Sequence, residues 1–174
     1  MALQATGRVV RDREGLELLV ERRIPTSTAE VWDWLTVPAR LKKWIGTWTG
    51  KPRVGGTVEF TMGFEKGATP QQVTILNCVP QSRFLASWSV GDDTWRVGVS
   101  LAEIDGVTHL YLSQRLSDAR AAGSVGPGWE YYLDRLLAAR AGTPMPSFED
   151  YSPTQRPYYE RLAMDGDPVG WPAT

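Results

Sequence analysis

Gly126-Pro127-Gly128-Trp129-Glu130-Tyr131-Tyr132-Leu133-Asp134-Arg135-Leu136-Leu137-Ala138-Ala139-Arg140-Ala141-Gly142 is the stretch on which the fold turns. Over 128–141, Trp129, Tyr132, Leu133, Leu136 and Leu137 recur at three- and four-residue spacing, which predicts the longest helix of the chain with one apolar face. Glu130, Asp134 and Arg135 are expected on its other side, and Gly142 is a suitable stop. An apolar face of that length must be covered, and the residues upstream supply the cover.

From 53 to 116 the signals are almost entirely β. Gly55-Gly56 leads into Thr57–Thr61, followed by Gln71–Val79, Arg83–Val90, Thr94–Ile104 and Val107–Leu116. Asp105-Gly106 is a strong two-residue hairpin turn. Short consecutive strands with tight turns form an antiparallel meander. Further upstream, Leu16, Leu18, Val20 and Ile24 alternate with polar residues, with Arg22 interrupting the apolar face, so 8–24 predicts a hairpin. Ser27-Thr28-Ala29-Glu30 fits a capping box for a helix over 28–35 carrying Val31, Trp32 and Leu35, and Pro38 suits the start of a second helix over 38–45. The expected fold class is therefore α+β: a curved antiparallel sheet of six or seven strands around the long C-terminal helix, with two short helices after the first strand. Residues 1–142 are expected to form this domain. Residues 143–174, with six of the twelve prolines and the aromatics Phe148, Tyr151, Tyr158, Tyr159 and Trp171, read as an extension with one short helix near 154–164 that wraps the domain.

Composition narrows the function classes. The chain has 174 residues and a formal net charge of −1, which argues against a nucleic-acid binder. No apolar run is long enough to span a membrane, and the N-terminus lacks a signal-peptide layout, so a cytoplasmic location is expected. One cysteine (Cys78, expected buried) and one histidine exclude an internal disulfide and a His-based metal cluster; no metal and no cofactor are expected. The oddity is eight tryptophans, which suit a thick core or a wide aromatic pocket.

Glu21-Arg22-Arg23-Ile24-Pro25, Ala29-Glu30-Val31-Trp32, Leu35-Thr36-Val37-Pro38, Lys43-Trp44, Val54-Gly55-Gly56, Val58-Glu59-Phe60 and the run Gly128–Leu136 together resemble the START-like (SRPBCC) helix-grip superfamily. More specifically they resemble the homologues of the activator of heat shock protein 90 ATPase, over about residues 8–142. The resemblance implies a cavity between the long helix and the sheet. Several members of the superfamily place an inward-facing histidine near the end of the last long strand, where this chain has Gln114.

On that reading Trp32, Trp44 and Trp129 close the cavity, Trp88 and Trp95 come from the sheet, and Phe60, Leu112, Gln114, Tyr132, Leu133 and Leu136 complete the expected ligand-binding set. Glu59, Asn77 and Ser87 are further polar residues that the strands could turn inward. Strand parity puts His109 on the outer face with Tyr111, Ser113 and Arg115. No nucleophile–base pair and no close carboxylate pair is legible, so no catalytic residue is assigned. The basic stretch Arg40–Arg53, with Lys42, Lys43 and Lys51, reads first as a solvated face. The function expected is binding of a small hydrophobic molecule, such as a lipid, without catalysis. The alternatives are a co-chaperone-type interaction module that meets a protein partner through the basic stretch or the tail, and a cyclase- or hydrolase-like enzyme. A homodimer is left open.

Overall fold

The structure is a computed structural model and describes residues 4–165; Trp171 and the rest of the chain's end lie outside the described residues. Its eight strands form one antiparallel sheet in the order β1-β2-β8-β7-β6-β5-β4-β3. The strands are β1 (Arg8–Asp12), β2 (Gly15–Ile24), β3 (Gly46–Thr49), β4 (Thr57–Met62), β5 (Gln71–Val79), β6 (Arg83–Val90), β7 (Asp93–Ile104) and β8 (Val107–Leu116). The six or seven strands expected become eight because Gly46-Thr47-Trp48-Thr49 adds an edge strand beside β4, a four-residue segment too short to carry a period. At the β7–β8 turn Asp105 and Gly106 have φ of 51° and 75°, as a primed hairpin turn requires.

Two short helices, α1 (Thr28–Thr36) and α2 (Pro38–Leu41), follow β2. Ser27 caps α1 through Glu30 N, but the Glu30 carboxylate accepts from Thr26 and Arg140 and does not close the box. The long helix α3 spans Ala122–Ala141, six residues earlier than the Pro-Gly pair suggests, and Gly142 ends it at φ 68°. A final helix, α4 (Ser152–Asp165), packs on α3 and β1, burying Tyr151 and Tyr159.

The polar side expected for α3 is corrected. Glu130 is 1% and Arg135 6% exposed, and both face the interior. Arg22, the interruption in the apolar face of β2, is what makes this possible. Its guanidinium binds Glu130 at 2.5 Å and Asp134 at 2.8 Å. Glu130 also accepts from the backbone N–H of Thr6 and Gly7 and from the Tyr159 hydroxyl. Burial alone would raise the Glu130 pKa; the Arg22 charge and these hydrogen bonds outweigh it and hold the carboxyl below its ordinary value. One carboxylate thereby ties β2, α3, α4 and the N-terminal segment together.

Candidate functional site

The core is densest where α3 and α4 cover β1, β2, β8 and β7, with Leu18, Val20, Leu110, Leu112, Leu133 and Leu136 at or below 2% exposure. Beyond it, over β3–β6, the sheet curves away from α3 and leaves a cavity of about 830 Å³. Inward parity sets its floor: Val58, Phe60 and Met62 from β4, Val73 and Ile75 from β5, Phe84, Ala86, Trp88 and Val90 from β6. Trp32, Leu35 and Thr36 of α1 and Trp44 and Trp48 flank it, and Val125, Gly128, Trp129, Tyr131, Tyr132 and Leu133 of α3 form its roof. Six of the eight tryptophans therefore line one space: Trp32, Trp44, Trp48, Trp88, Trp95 and Trp129.

The rings hold each other in place. Trp32 meets Phe84 edge-on at 6.0 Å, Trp88 lies 5.9 Å from Trp95 across the β6–β7 pair, and Trp129 lies 6.4 Å from Tyr132. Three of the six indole N–H groups are taken up by fixed acceptors: Trp44 by the Trp34 carbonyl, Trp48 by the Thr36 carbonyl, and Trp129 by Gln114 Oε1 at 2.5 Å. With those N–H groups satisfied, these three rings offer the cavity apolar surface.

Of the eleven residues expected to bind ligand, nine line the cavity: Trp32, Trp44, Phe60, Trp88, Trp95, Leu112, Trp129, Tyr132 and Leu133. Gln114 does not; it is 1% exposed and acts only by fixing the Trp129 ring. Leu136 does not either, because it lies one further turn along α3, inside the packed core. Of the polar residues weighed for the interior, Glu59 and Asn77 are exposed and Ser87 is outside the lining. Trp48, Phe84 and Tyr131 were not in the set. Phe84 shares strand parity with Trp88, a signal the sequence did contain.

The other singled-out residues find different places. Cys78 is exposed, not buried, yet it lines the cavity: the β5–β6 register shift between Ile75 and Asn77 turns Cys78 rather than Asn77 inward after Val73 and Ile75. His109 lies on the outer face as parity requires, but its Nδ1 is 3.0 Å from Glu21 Oε1 and its ring stacks on Tyr111. Within the basic stretch, Arg40 and Lys43 lie over the Trp34 ring at 5.6 and 5.7 Å. Among the described residues there is no group of three His, Cys, Asp or Glu that could hold a metal, and no helix is long and apolar enough to cross a membrane.

Thr36, Gln71, Cys78 and Ser124 also line the cavity, and its charged residues sit in the segments before and after β4. At one end Arg53, from the β3–β4 connection, borders the opening beside Pro52 and Val54. At the other, the Tyr132 hydroxyl donates to Glu65 Oε1 at 3.1 Å, and Phe64 lies on the Arg135 guanidinium at 3.5 Å. Burial first, then the Glu65 charge, push the Tyr132 pKa upward, so this phenol stays a hydrogen-bond donor across the neutral range.

Solved structures with the same architecture include CalU16 from Micromonospora echinospora, whose crystal structure is 25% identical, with a TM-score of 0.74, covering 94% of this chain and 99% of that one. The solution structure of CalU16 gives 23% identity and a TM-score of 0.74 over 96% and 100% of the two chains. A Bordetella parapertussis protein encoded by BPP1335 matches with 22% identity and a TM-score of 0.71 over 92% and 88%. None of the curated proteins matches this chain. The profile of the family described as Activator of Hsp90 ATPase homolog 1-like protein matches residues 25–140, from the end of β2 to the last turn of α3. That span contains every element that builds the cavity apart from the tail, and the chain belongs to this family of START-like helix-grip proteins.

Proposed function

We infer that the protein binds a small, predominantly apolar molecule in this cavity and does no chemistry on it. The observation that carries this reading is the convergence of six indoles on one space of about 830 Å³, within the range of pockets that enclose drug-sized ligands. A filled core with an exposed apolar patch would have favoured the protein-docking alternative. An enzyme would call for a pair poised for proton transfer. The pair the cavity holds is Tyr132 and Glu65, where burial and the Glu65 charge keep the phenol protonated, and the buried carboxylate Glu130 is committed to Arg22 outside the cavity. A ligand burying about 300 Å² of apolar surface gains about 7 kcal/mol in transfer. Immobilisation removes several kcal/mol of that, which puts the expected affinity in the micromolar to millimolar range.

Gly128 gives the test. It lines the cavity from α3, and a Cβ built there meets nothing within 4 Å. Gly128→Phe should project a ring into the space without straining the helix. Titration with N-phenyl-1-naphthylamine, followed by probe fluorescence and quenching of the tryptophans, should give saturable binding to the wild type. The variant should bind about tenfold or more weakly while melting no lower, since a glycine inside a helix is unfavourable. No saturable binding by the wild type, or undiminished binding by a folded Gly128→Phe, would defeat this reading.

A further inference from the structure

Among the described residues that line the cavity, Arg53 is the only cation and Glu65 the only carboxylate. Arg53 is exposed at its opening, and its stem lies against Gly56, where an added Cβ would stand 2.6 Å from Arg53 Cγ and 3.0 Å from Nε. Gly56 is buried and held by the bond from Ile75 N to its carbonyl, 2.9 Å, while Gly55 N donates to Ile75 O at 2.8 Å. The missing side chain at 56 is thus the groove in which Arg53 lies, so the guanidinium is kept at the cavity's edge. Among the described residues neither Arg53 nor its neighbour Lys51 has an ion-pair partner.

Among the described residues the far end offers an anion no free cation: Glu65 lines it, and the Arg135 guanidinium behind Phe64 lies outside the lining, donating to Trp44 O and the Tyr131 hydroxyl. β4 separates the two ends: Arg53 precedes Thr57, and Glu65 follows Met62. Five residue steps at about 3.3 Å each make β4 itself about 17 Å long, with Arg53 and Glu65 in the segments at its two ends. Over that length the wall is predominantly apolar, from Val58 and Phe60 to Trp88, with Gln71 beside Phe60 and Cys78 farther along β5. An anion entering this space meets an unpaired cation at the Arg53 end, whereas at the other the lining charge is the Glu65 carboxylate, offset by Arg135 behind Phe64. A planar guanidinium also suits the two-oxygen face of a carboxylate, sulfonate or phosphate.

We propose that the cavity takes an elongated amphiphile with a single anionic group, held with that group at Arg53 and its apolar body extending along the tryptophans toward Tyr132. The proposal rests on the apolar-binding reading above and adds the charge and orientation of the ligand.

Two fluorophores of nearly the same ring skeleton separate the two claims: 8-anilino-1-naphthalenesulfonate carries an anion, and N-phenyl-1-naphthylamine does not. Each is titrated into the wild-type full chain, Arg53→Gln, Arg53→Lys and, as a distant exposed cation, Arg13→Gln, with thermal melts confirming that all are folded. Arg53→Gln should weaken the sulfonate by about fivefold and the neutral amine by less than about twofold. Arg53→Lys should retain most of the sulfonate affinity, Arg13→Gln should change neither probe, and added salt should erase the difference. Equal loss of both probes, or no loss of either, in Arg53→Gln would overturn the anionic end and leave apolar binding intact. Failure of the wild type to bind the neutral probe would overturn the apolar cavity reading beneath it.

Discussion

Glu130 sits on a helix where spacing alone assigns it to solvent, and its partners explain why it does not go there. Arg22 brings the countercharge from β2, and Gly7 brings a backbone donor at 2.9 Å from the other end of the chain. Neither partner is visible from the helical period, because both are more than a hundred residues away in sequence. The folded-state pKa of Glu130 lies below its ordinary 4.5, so its contribution to stability is complete above about pH 5 and is lost as the pH falls through the folded value. Glu130→Gln should cost about 3 kcal/mol at neutral pH, because Arg22 and the two backbone donors lose their charged partner. In urea unfolding, the gap between wild type and variant should narrow as the pH falls below about 5, toward and through the lowered folded-state value. A gap of constant size would mean that the carboxylate charge is not its source.

At the scale of elements, α3 holds the clearest contrast between what the sequence makes legible and what it hides. Its C-terminal half follows the apolar period, and its stop at Gly142 is where a left-handed cap belongs. Its first turn hides behind Gly126-Pro127-Gly128, residues that break isolated helices. Tertiary packing overrides that preference: Ala122, Gly123, Val125, Gly126 and Pro127 are all buried. The two flanking glycines do different things. A Cβ at Gly126 would meet the Tyr159 ring of α4 at 2.4–2.6 Å, whereas one at Gly128 meets nothing. Gly126→Ala should therefore cost about 1–3 kcal/mol by forcing α4 off α3. Gly128→Ala should be neutral or stabilise by up to about 1 kcal/mol through helix propensity. Equal effects of the two in thermal melts would contradict the packing described for α4. The same distinction between period and context accounts for the sheet. Strands β4 to β8, with their long alternations and marked turns, are legible, while β3 is too short and Cys78 sits beyond a register shift that no alternation reveals.

Across the whole molecule the sheet has two unequal halves. β1, β2, β8 and β7 are sealed beneath α3 and α4, and their inward residues are buried almost without exception. The inward residues of β5 and β6, including Val73, Ile75, Phe84, Ala86 and Trp88, are only half-buried, because the cavity lies where packing atoms would be. An inner face without partners loses dispersion contacts as well as cover. Local opening should therefore be easier in β4–β6 than in β2 and β8, and native-state amide exchange should be faster there by an amount tied to that lost packing. A ligand that fills the cavity changes this balance selectively. At about 100 times its Kd it adds about 2.7 kcal/mol to the free energy of any opening that releases it. Exchange from β5 and β6 should slow by up to about a hundredfold when N-phenyl-1-naphthylamine is present, the equivalent of that stabilisation. Amides of β2 and β8 that exchange by local fraying should hardly respond. Uniform slowing along all eight strands would mean that the sheet opens as one unit, and slowing confined to the outer face of β2 and β8 would place the ligand outside the cavity.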